Sequence, residues 1–166
     1  VTELSDDGLS MRDSTKLTRV GNYSVEGGYV YKKDGWFYLF ASRGRTVKNQ
    51  AGVGNIDYRI VVARSRNLEG PYTGPDGKSF LDNDYDYCIL RGSTDGTFAG
   101  PGHNGEIFVD DDGQEWMPYH AYWKGNGYAH RDLCIDRVFW KDGWPYFKDS
   151  VPQASSEAPY FKTKVF

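Results

Sequence analysis

The feature that most constrains the fold is an internal repeat, in which the chain matches itself at a shift of about 78 positions. The matched pairs are Asp34-Gly35 with Asp112-Gly113 and Tyr29-Val30-Tyr31 with Ile107-Phe108-Val109. Each repeat contains four short β-rich runs and a long loop, which is the pattern of a propeller blade. The repeat therefore predicts a β-propeller fragment, with a single β-sandwich built from two similar sheets as the alternative.

The individual runs predict an all-β fold with very little helix, because no segment keeps a 3.6-residue periodicity. The clearest unit is a hairpin of Tyr29–Tyr31 and Trp36–Ala41 around a Lys-Asp-Gly turn. Two glycine-rich stretches, 43–55 and 92–105, are predicted to be loops. The other predicted strands are Lys16–Val20, Tyr58–Ser65, Cys88–Arg91, Glu106–Val109, Glu115–Tyr122, Leu133–Trp140 and Pro145–Lys148.

These runs divide the chain into about two blades and the outer strand of a preceding blade. Residues 1–22 are the predicted end of that preceding blade and a connection. Residues 23–92 form the first complete blade, and residues 93–148 form the blade that follows it. Residues 149–166 are a C-terminal tail rich in proline and serine.

Composition excludes several classes of partner. The 23 acidic and 20 basic residues leave a net charge of -3, so neither nucleic acid nor an anionic membrane is expected as a partner. No apolar run approaches the roughly 20 residues that span a bilayer, so no membrane insertion is expected. Aromatic residues make up 16% of the chain, which fits either an aromatic β core or stacking surfaces for sugar rings.

The cysteines and the first residue bear on the compartment. Cys88 and Cys134 form no CxxC motif, so a zinc ribbon or redox motif is not expected. Their spacing leaves open whether they are bonded or free. The chain starts at Val1 and has no signal-peptide pattern. We therefore expect a processed or truncated chain whose targeting segment is already gone. Separately, we expect a secreted, periplasmic or cell-surface location.

Glu26 is the candidate catalytic residue. Glycoside hydrolysis needs one protonated carboxyl group for the leaving oxygen and a second carboxylate that activates water or attacks the sugar. A carboxyl group walled by aromatic rings keeps its proton near neutral pH, and Glu26 has Tyr23, Tyr29 and two glycines nearby in the sequence. The alternative is a surface residue at the start of a strand. The repeat does not duplicate this carboxylate, because Glu26 falls on Asn104.

An ordered series of motifs covers the chain from about Leu4 to Phe147 and resembles glycoside hydrolase family 43, most closely its arabinanase and arabinofuranosidase branch. The motifs are Val25–Tyr31 with Trp36–Ser42, Val62–Ser65 with Leu68–Tyr72, Gly100–Gly105 with Tyr119–Tyr122, and Leu133–Trp140 with Asp142–Pro145. The resemblance implies a five-bladed propeller that hydrolyses arabinan- or arabinoxylan-type glycans of plant cell walls with inversion. It also implies that Glu26 is the general acid.

The same resemblance suggests further site residues. His103 matches a histidine on the propeller axis that helps to hold a metal ion, often calcium, largely through water, although calcium prefers oxygen ligands. The alternative for His103 is a hydrogen-bonded loop residue. Arg131 and Tyr29 are the candidate substrate contacts, with a solvated loop arginine as the alternative for Arg131. We expect His120 to be structural.

The resemblance covers only the C-terminal half of the family's domain. The family's general base, and the aspartate that tunes the acid, belong to earlier blades, so this chain needs the N-terminal half of the propeller as a partner. The possible substitutes for the base within the chain are Asp57, Asp95, Asp132 and Glu106. Two other functions stay open. One is a non-catalytic sugar-binding module that uses Arg43, Arg45 and Arg131, and the other is a structural β domain.

Overall fold

The computed structural model of this protein describes residues 1–45 and 57–162. Within them the fold is nearly all β, as predicted, with two single-turn helices, Lys124–Asn126 and Lys148–Ser150. None of the described helices is long and apolar enough to cross a membrane. The strands are β1 Val25–Lys33, β2 Trp36–Arg43, β3 Arg59–Ser65, β4 Cys88–Leu90, β5 Phe98–Gly102, β6 Phe108–Val109, β7 Glu115–Trp123, β8 Arg131–Lys141 and β9 Trp144–Tyr146.

The strands form two antiparallel sheets that follow the order of the chain. The first sheet has the order β1-β2-β3-β4, and the second has the order β5-β7-β8-β9, with the short β6 also paired to β7. Strands that are adjacent in the sequence are thus adjacent in space, apart from the interruption between β5 and β6. This meander order favours propeller blades over the Greek-key order of most sandwiches.

The first hairpin has the predicted geometry. Lys33 pairs with Trp36 across the two-residue turn Asp34-Gly35, and both turn residues have positive φ, 49° and 74°. Such turns match the right-handed twist of the flanking strands, and Asp-Gly is a preferred sequence for them. At the other end of the hairpin the pairing shifts between Glu26 and Tyr29. The two glycines between them therefore form an irregularity at the start of β1, which we call the bulge.

One strand lies where the sequence predicted a loop. β5 occupies part of the glycine-rich stretch 92–105, and all five of its residues are buried. The loop prediction was wrong because glycine in a strand can also mark a close approach of another part of the chain. Gly102 is such a position, since a Cβ built there would lie 2.2 Å from the ring of Tyr58.

The two sheets face each other across one hydrophobic core. Phe40 and Ile60 of the first sheet, together with Met117 and Tyr119 of the second, are almost completely buried in it. The connection from β3 to β4 adds a second cluster, in which Phe80 is fully buried beside β2 and β3. Burial of this apolar area provides most of the stabilisation of such a fold.

One side of β8 is less covered than the rest. Leu133 is 75% exposed and Ile135 is 38% exposed, whereas Asp136, which points the other way, is buried. Alternate residues of a strand face opposite sides of its sheet. The second sheet therefore presents an apolar strip on the side that faces away from the first sheet.

The N-terminal segment corrects one strand prediction. Lys16–Val20 was predicted to be strand-like but forms no strand. The segment holds only scattered pairs, namely a bridge between Leu4 and Met11 and a 2.9 Å hydrogen bond from the Thr18 N–H to the Val1 carbonyl. A strand needs a continuous ladder of such bonds, which this segment lacks. From residue 46 onward, the predicted loop 43–55 lies outside the described residues.

The sequence left open whether Cys88 and Cys134 form a disulfide bond. In the structure both are free thiols. Burial raises the pKa of each thiol, that of Cys134 to about 11. Both groups therefore stay protonated and poorly reactive near neutral pH.

The C-terminal tail is fixed to the loop between β6 and β7. Asp110 accepts hydrogen bonds from the Gln114 N–H and the Trp116 indole, both 2.8 Å long, and from the Tyr160 N–H at 3.2 Å. Burial raises the pKa of Asp110, but these hydrogen bonds outweigh it and hold the pKa below its usual value. The carboxylate therefore connects the tail to the second sheet.

Candidate active site

Glu26 lies near the start of β1, where it pairs with Ser42 of β2. Its carboxylate is within reach of solvent and accepts a 2.5 Å hydrogen bond from the Tyr58 hydroxyl to Oε1. Tyr58 is only 2% exposed. Burial raises the pKa of Tyr58 to about 12, and the hydrogen bond to Glu26 adds to the effect. The phenol therefore keeps its proton and serves as a donor that holds one carboxylate oxygen.

The aromatic neighbour of Glu26 is thus Tyr58 rather than Tyr23, which the sequence suggested. Tyr23 is 86% exposed, and its ring is covered by the guanidinium of Arg19 at 3.8 Å. Tyr58 immediately precedes β3, 32 residues after Glu26. No local pattern connects the two residues, so the sequence did not indicate this contact.

The second sheet holds the Tyr58 ring in place. The ring stacks on His120 of β7 with the centroids 5.7 Å apart and the planes inclined by 4°. On the β5 side, Gly102 leaves the space that a Cβ would take from the ring. Tyr58 therefore connects the two sheets: its ring packs on the second sheet, and its hydroxyl holds the Glu26 carboxylate.

His120 lies inside this group of residues. Its ring also stacks on that of His103, with 6.3 Å between centroids. Burial, and after it the charges of Arg131 and His103, lower the pKa of His120 to about 4. The ring is therefore neutral at neutral pH. Its Nδ1 atom is buried and has no hydrogen-bond partner among the described residues.

His103 follows β5 and faces the bulge in β1. Its backbone has a φ of 50°, and its N–H donates a 2.6 Å hydrogen bond to Ser42 Oγ. A Cβ on Gly27 would lie 3.3 Å from His103 Nδ1. Because Gly27 has no side chain, the imidazole of His103 has room to lie beside β1, next to Glu26.

The residues around His103 do not form a calcium cage by themselves. The described part of the chain contains no group of three or more His, Cys, Asp or Glu side chains that could hold a metal ion. Calcium takes six to eight oxygen ligands, whereas His103 offers a nitrogen. The neighbouring Asn104 has a buried oxygen, Oδ1, without a hydrogen-bond partner among the described residues, and this would be a single oxygen ligand. The metal at His103 therefore stays a prediction.

The two predicted substrate contacts lie in different surroundings. Arg131 begins β8 and is exposed, with its Nη1 atom 3.4 Å from His120 Nε2. It therefore borders the group of residues around Glu26. Tyr29 packs against the core between the sheets, and burial together with the Glu106 carboxylate raises its pKa. Its phenol is thus engaged with Glu106 rather than with Tyr58 or His120.

The carboxylates considered as substitutes for the base have partners of their own. Asp57 accepts a hydrogen bond from the Arg45 N–H at 2.6 Å, and Asp132 accepts one from the Asn126 side chain at 2.7 Å. Hydrogen bonds from Thr97 lower the pKa of Asp95 to about 2. None of these bonds joins a second carboxylate to Glu26. Around Glu26, the described residues thus bring together a solvent-accessible carboxylate with a fixed donor, two stacked imidazoles and an exposed guanidinium.

Comparison with solved structures defines the class of fold. An α-L-arabinanase of Cellvibrio cellulosa, solved in complex with arabinohexaose, matches the fold with a TM-score of 0.71 and 25% sequence identity. The match covers 88% of this chain and 48% of the arabinanase. The chain therefore has the fold of a β-propeller fragment, as the internal repeat predicted.

Sequence comparison identifies the family. The chain belongs to the glycosyl hydrolases family 43, whose family model matches residues 1–145. It is 32% identical to the arabinan endo-1,5-alpha-L-arabinosidase C of Emericella nidulans, over 82% of this chain and 45% of the relative. It is 28% identical to an extracellular exo-alpha-(1->5)-L-arabinofuranosidase of Cellvibrio japonicus, over 77% of this chain and 34% of the relative. The chain thus spans half or less of the length of these relatives.

Proposed function

We propose that this chain is the C-terminal half of an inverting glycosidase and that Glu26 is its general acid. The observation that supports this role best is the 2.5 Å hydrogen bond from Tyr58 to Glu26 Oε1. In this proposal Oε1 accepts the hydrogen bond from the phenol, and Oε2 carries the proton that passes to the glycosidic oxygen. As the proton leaves, the same phenol stabilises the carboxylate that forms.

The general base in this proposal comes from the N-terminal half of the propeller. An inverting site holds its two carboxyl groups roughly 6.5–9.5 Å apart, with the attacking water between them. The exposed strip of Leu133 and Ile135 on β8 supports such a partner, because exposed apolar patches often mark packing surfaces. We assign that strip to contact with the preceding blades.

His120 and Arg131 are the proposed substrate-binding groups. Of the two nitrogens of the His120 imidazole, Nδ1 is buried, so the proposed contact with a sugar hydroxyl is made by Nε2, beside Arg131. The exposed guanidinium of Arg131, 3.4 Å from that ring, donates hydrogen bonds only. Together they orient the sugar whose oxygen receives the proton from Glu26. A calcium ion at His103, held largely through water, would add a positive charge to this site.

The proposed substrates are arabinan- or arabinoxylan-type glycans, and the proposed location is outside the cell. The names of the two relatives support arabinan as the first substrate to test, and one of them is described as extracellular. The names do not distinguish endo from exo action for this chain. Product lengths from a linear arabino-oligosaccharide decide that point.

The test of the acid uses the full-length protein with Glu26→Gln. We expect its kcat on arabino-oligosaccharides to fall about 10²–10⁴-fold, which is the usual contribution of general acid catalysis. A dinitrophenyl arabinofuranoside needs no protonation of its leaving group, so its hydrolysis should fall much less. Glu69→Gln, which alters an exposed loop carboxylate, is the matched control and should keep full activity.

Two results would contradict the proposal. Equal losses on both substrates would mean that Glu26 is not the proton donor. Sugar binding without hydrolysis, in a preparation that contains every blade, would instead favour the non-catalytic sugar-binding module.

A further inference from the structure

A second concave surface lies at the far end of the sheets from Glu26. It is a groove of about 500 Å³ between the residues that precede β4 and the hairpin of β8 and β9. Its lining includes Tyr87, Lys141, Asp142, Trp144, Pro145 and Tyr146. β8 begins at Arg131, beside His120, and ends at Lys141. Ten steps along a strand cover roughly 30 Å, so the groove is separate from the Glu26 site.

The aromatic rings of the groove are fixed by contacts with neighbouring side chains. Trp144 meets Tyr87 edge to face, with 5.2 Å between centroids and 72° between planes. The guanidinium of Arg64 lies 4.3 Å from the Trp144 ring, and Tyr146 stacks on Phe139 at 5.5 Å. Rings that are fixed before a ligand arrives lose little conformational entropy on binding.

Tyr146 is the ring most available to a ligand. It is 41% exposed, although its neighbour in β9, Pro145, is buried. An exposed tyrosine offers a flat apolar face and a hydroxyl group at the same place. That combination suits a ligand with an apolar face and polar edges.

The turn beside the rings supplies charged groups of both signs. Lys141 and Asp142 are exposed, and within the described ranges neither belongs to an ion pair. The turn is held rigid because the Gly143 carbonyl accepts hydrogen bonds from Tyr38 at 2.7 Å and Arg64 at 2.6 Å. One donor and one acceptor with cancelling charges favour a neutral ligand rich in hydroxyl groups.

We propose that this groove, which we call the Tyr146 groove, binds a short stretch of a neutral oligosaccharide and forms a second glycan site. The C–H face of a sugar ring packs on Tyr146 and Trp144, while its hydroxyls bond to Lys141 and Asp142. Its volume lies within the usual range of small-ligand sites. This site needs no catalytic residue, so it stands even if Glu26 is not an acid.

The test is binding of arabinohexaose and of xylohexaose to the full-length protein carrying Glu26→Gln, which prevents turnover. Isothermal titration should detect the Tyr146 groove as a second binding event besides the one at the Glu26 site, and Tyr146→Ala should weaken that second event about tenfold, a change of about 1.4 kcal/mol. Tyr160→Ala is the matched control, because Tyr160 is a similarly exposed tyrosine of the tail, and it should leave binding unchanged. In the protein with an intact Glu26, Tyr146→Ala should leave kcat on a short soluble substrate unaltered.

If Tyr146→Ala does not fold, Lys141→Ala replaces it, because Lys141 is an exposed residue of the groove. Lys141→Ala should also weaken the binding of the sugar. Unchanged affinity for both sugars in these variants would overturn the proposal. So would a shift of Tyr146→Ala to a smaller species in sedimentation, because the groove would then be a contact between copies of the chain. An equal loss in Tyr160→Ala would overturn it as well.

Discussion

Replacing Tyr58 with phenylalanine isolates the hydrogen bond on which the proposed acid depends. Tyr58→Phe removes one hydroxyl and keeps the ring that stacks 5.7 Å from His120. The burial of the aromatic ring is therefore preserved. What disappears is the 2.5 Å bond to Glu26 Oε1, so the carboxylate loses its fixed donor and its orientation.

The size of the effect follows from the charge that develops on Glu26. A hydrogen bond to a charged group contributes about 1.5–3 kcal/mol, and about 1.4 kcal/mol corresponds to a tenfold change in rate. Because the bond strengthens as negative charge develops on Glu26, kcat/KM on an arabino-oligosaccharide should fall about 10- to 150-fold in Tyr58→Phe. Stability should change by only about 0.5–1.5 kcal/mol, because Glu26 can bond to water instead.

The assay compares two leaving groups in the full-length enzyme. The loss should be large for the oligosaccharide and small for the dinitrophenyl arabinofuranoside, whose leaving group departs without a proton. KM should change little, since Tyr58 is buried and contacts the acid rather than the sugar. Equal losses on both substrates, or a loss confined to KM, would refute the positioning role of Tyr58.

Two further predictions concern packing and pH. Gly102→Ala should lower the free energy of unfolding by about 1–3 kcal/mol and reduce activity, because the new Cβ would lie 2.2 Å from the Tyr58 ring. Gly28→Ala is its control in thermal unfolding, since the nearest atom there is 3.7 Å away. Asp110→Asn should destabilise the fold near neutral pH. The pKa of Asp110 is lowered in the folded state from 3.8, so its stabilisation is present above that value and lost as pH falls below it. Urea unfolding of both proteins across the acid range should show their stabilities converging, and a constant difference would contradict this.

Much of the fold followed from local patterns in the sequence. The Asp34-Gly35 turn and its flanking runs predicted the first hairpin, because turn chemistry acts over a few residues. The β-rich run Tyr58–Ser65, with its consecutive apolar residues, likewise predicted β3. Such features depend on neighbours in the chain, so a single sequence is enough to reveal them.

The residues that build the site were harder to predict because their contacts cross between sheets. Tyr58 lies 32 positions from Glu26, and nothing in the neighbouring sequence indicates that its hydroxyl reaches that carboxylate. His120 was expected to be structural, and its ring stacks on Tyr58 and His103 and lies beside Arg131, contacts that its own strand did not indicate. The available signal was the glycine in β5, Gly102, which was interpreted as a loop residue rather than as space for a neighbouring ring.

The candidate site and the contact between the two sheets are parts of one arrangement. Gly27 of the first sheet makes room for the ring of His103, and Gly102 of the second makes room for the ring of Tyr58. Because neither glycine has a side chain, the rings of His103 and Tyr58 can both come close to the bulge at Glu26. A change in how the sheets pack therefore moves the donor of the proposed acid. The hydrogen bond from Tyr58 to Glu26 thus depends on how both sheets pack, and substitutions that disturb this packing should weaken it.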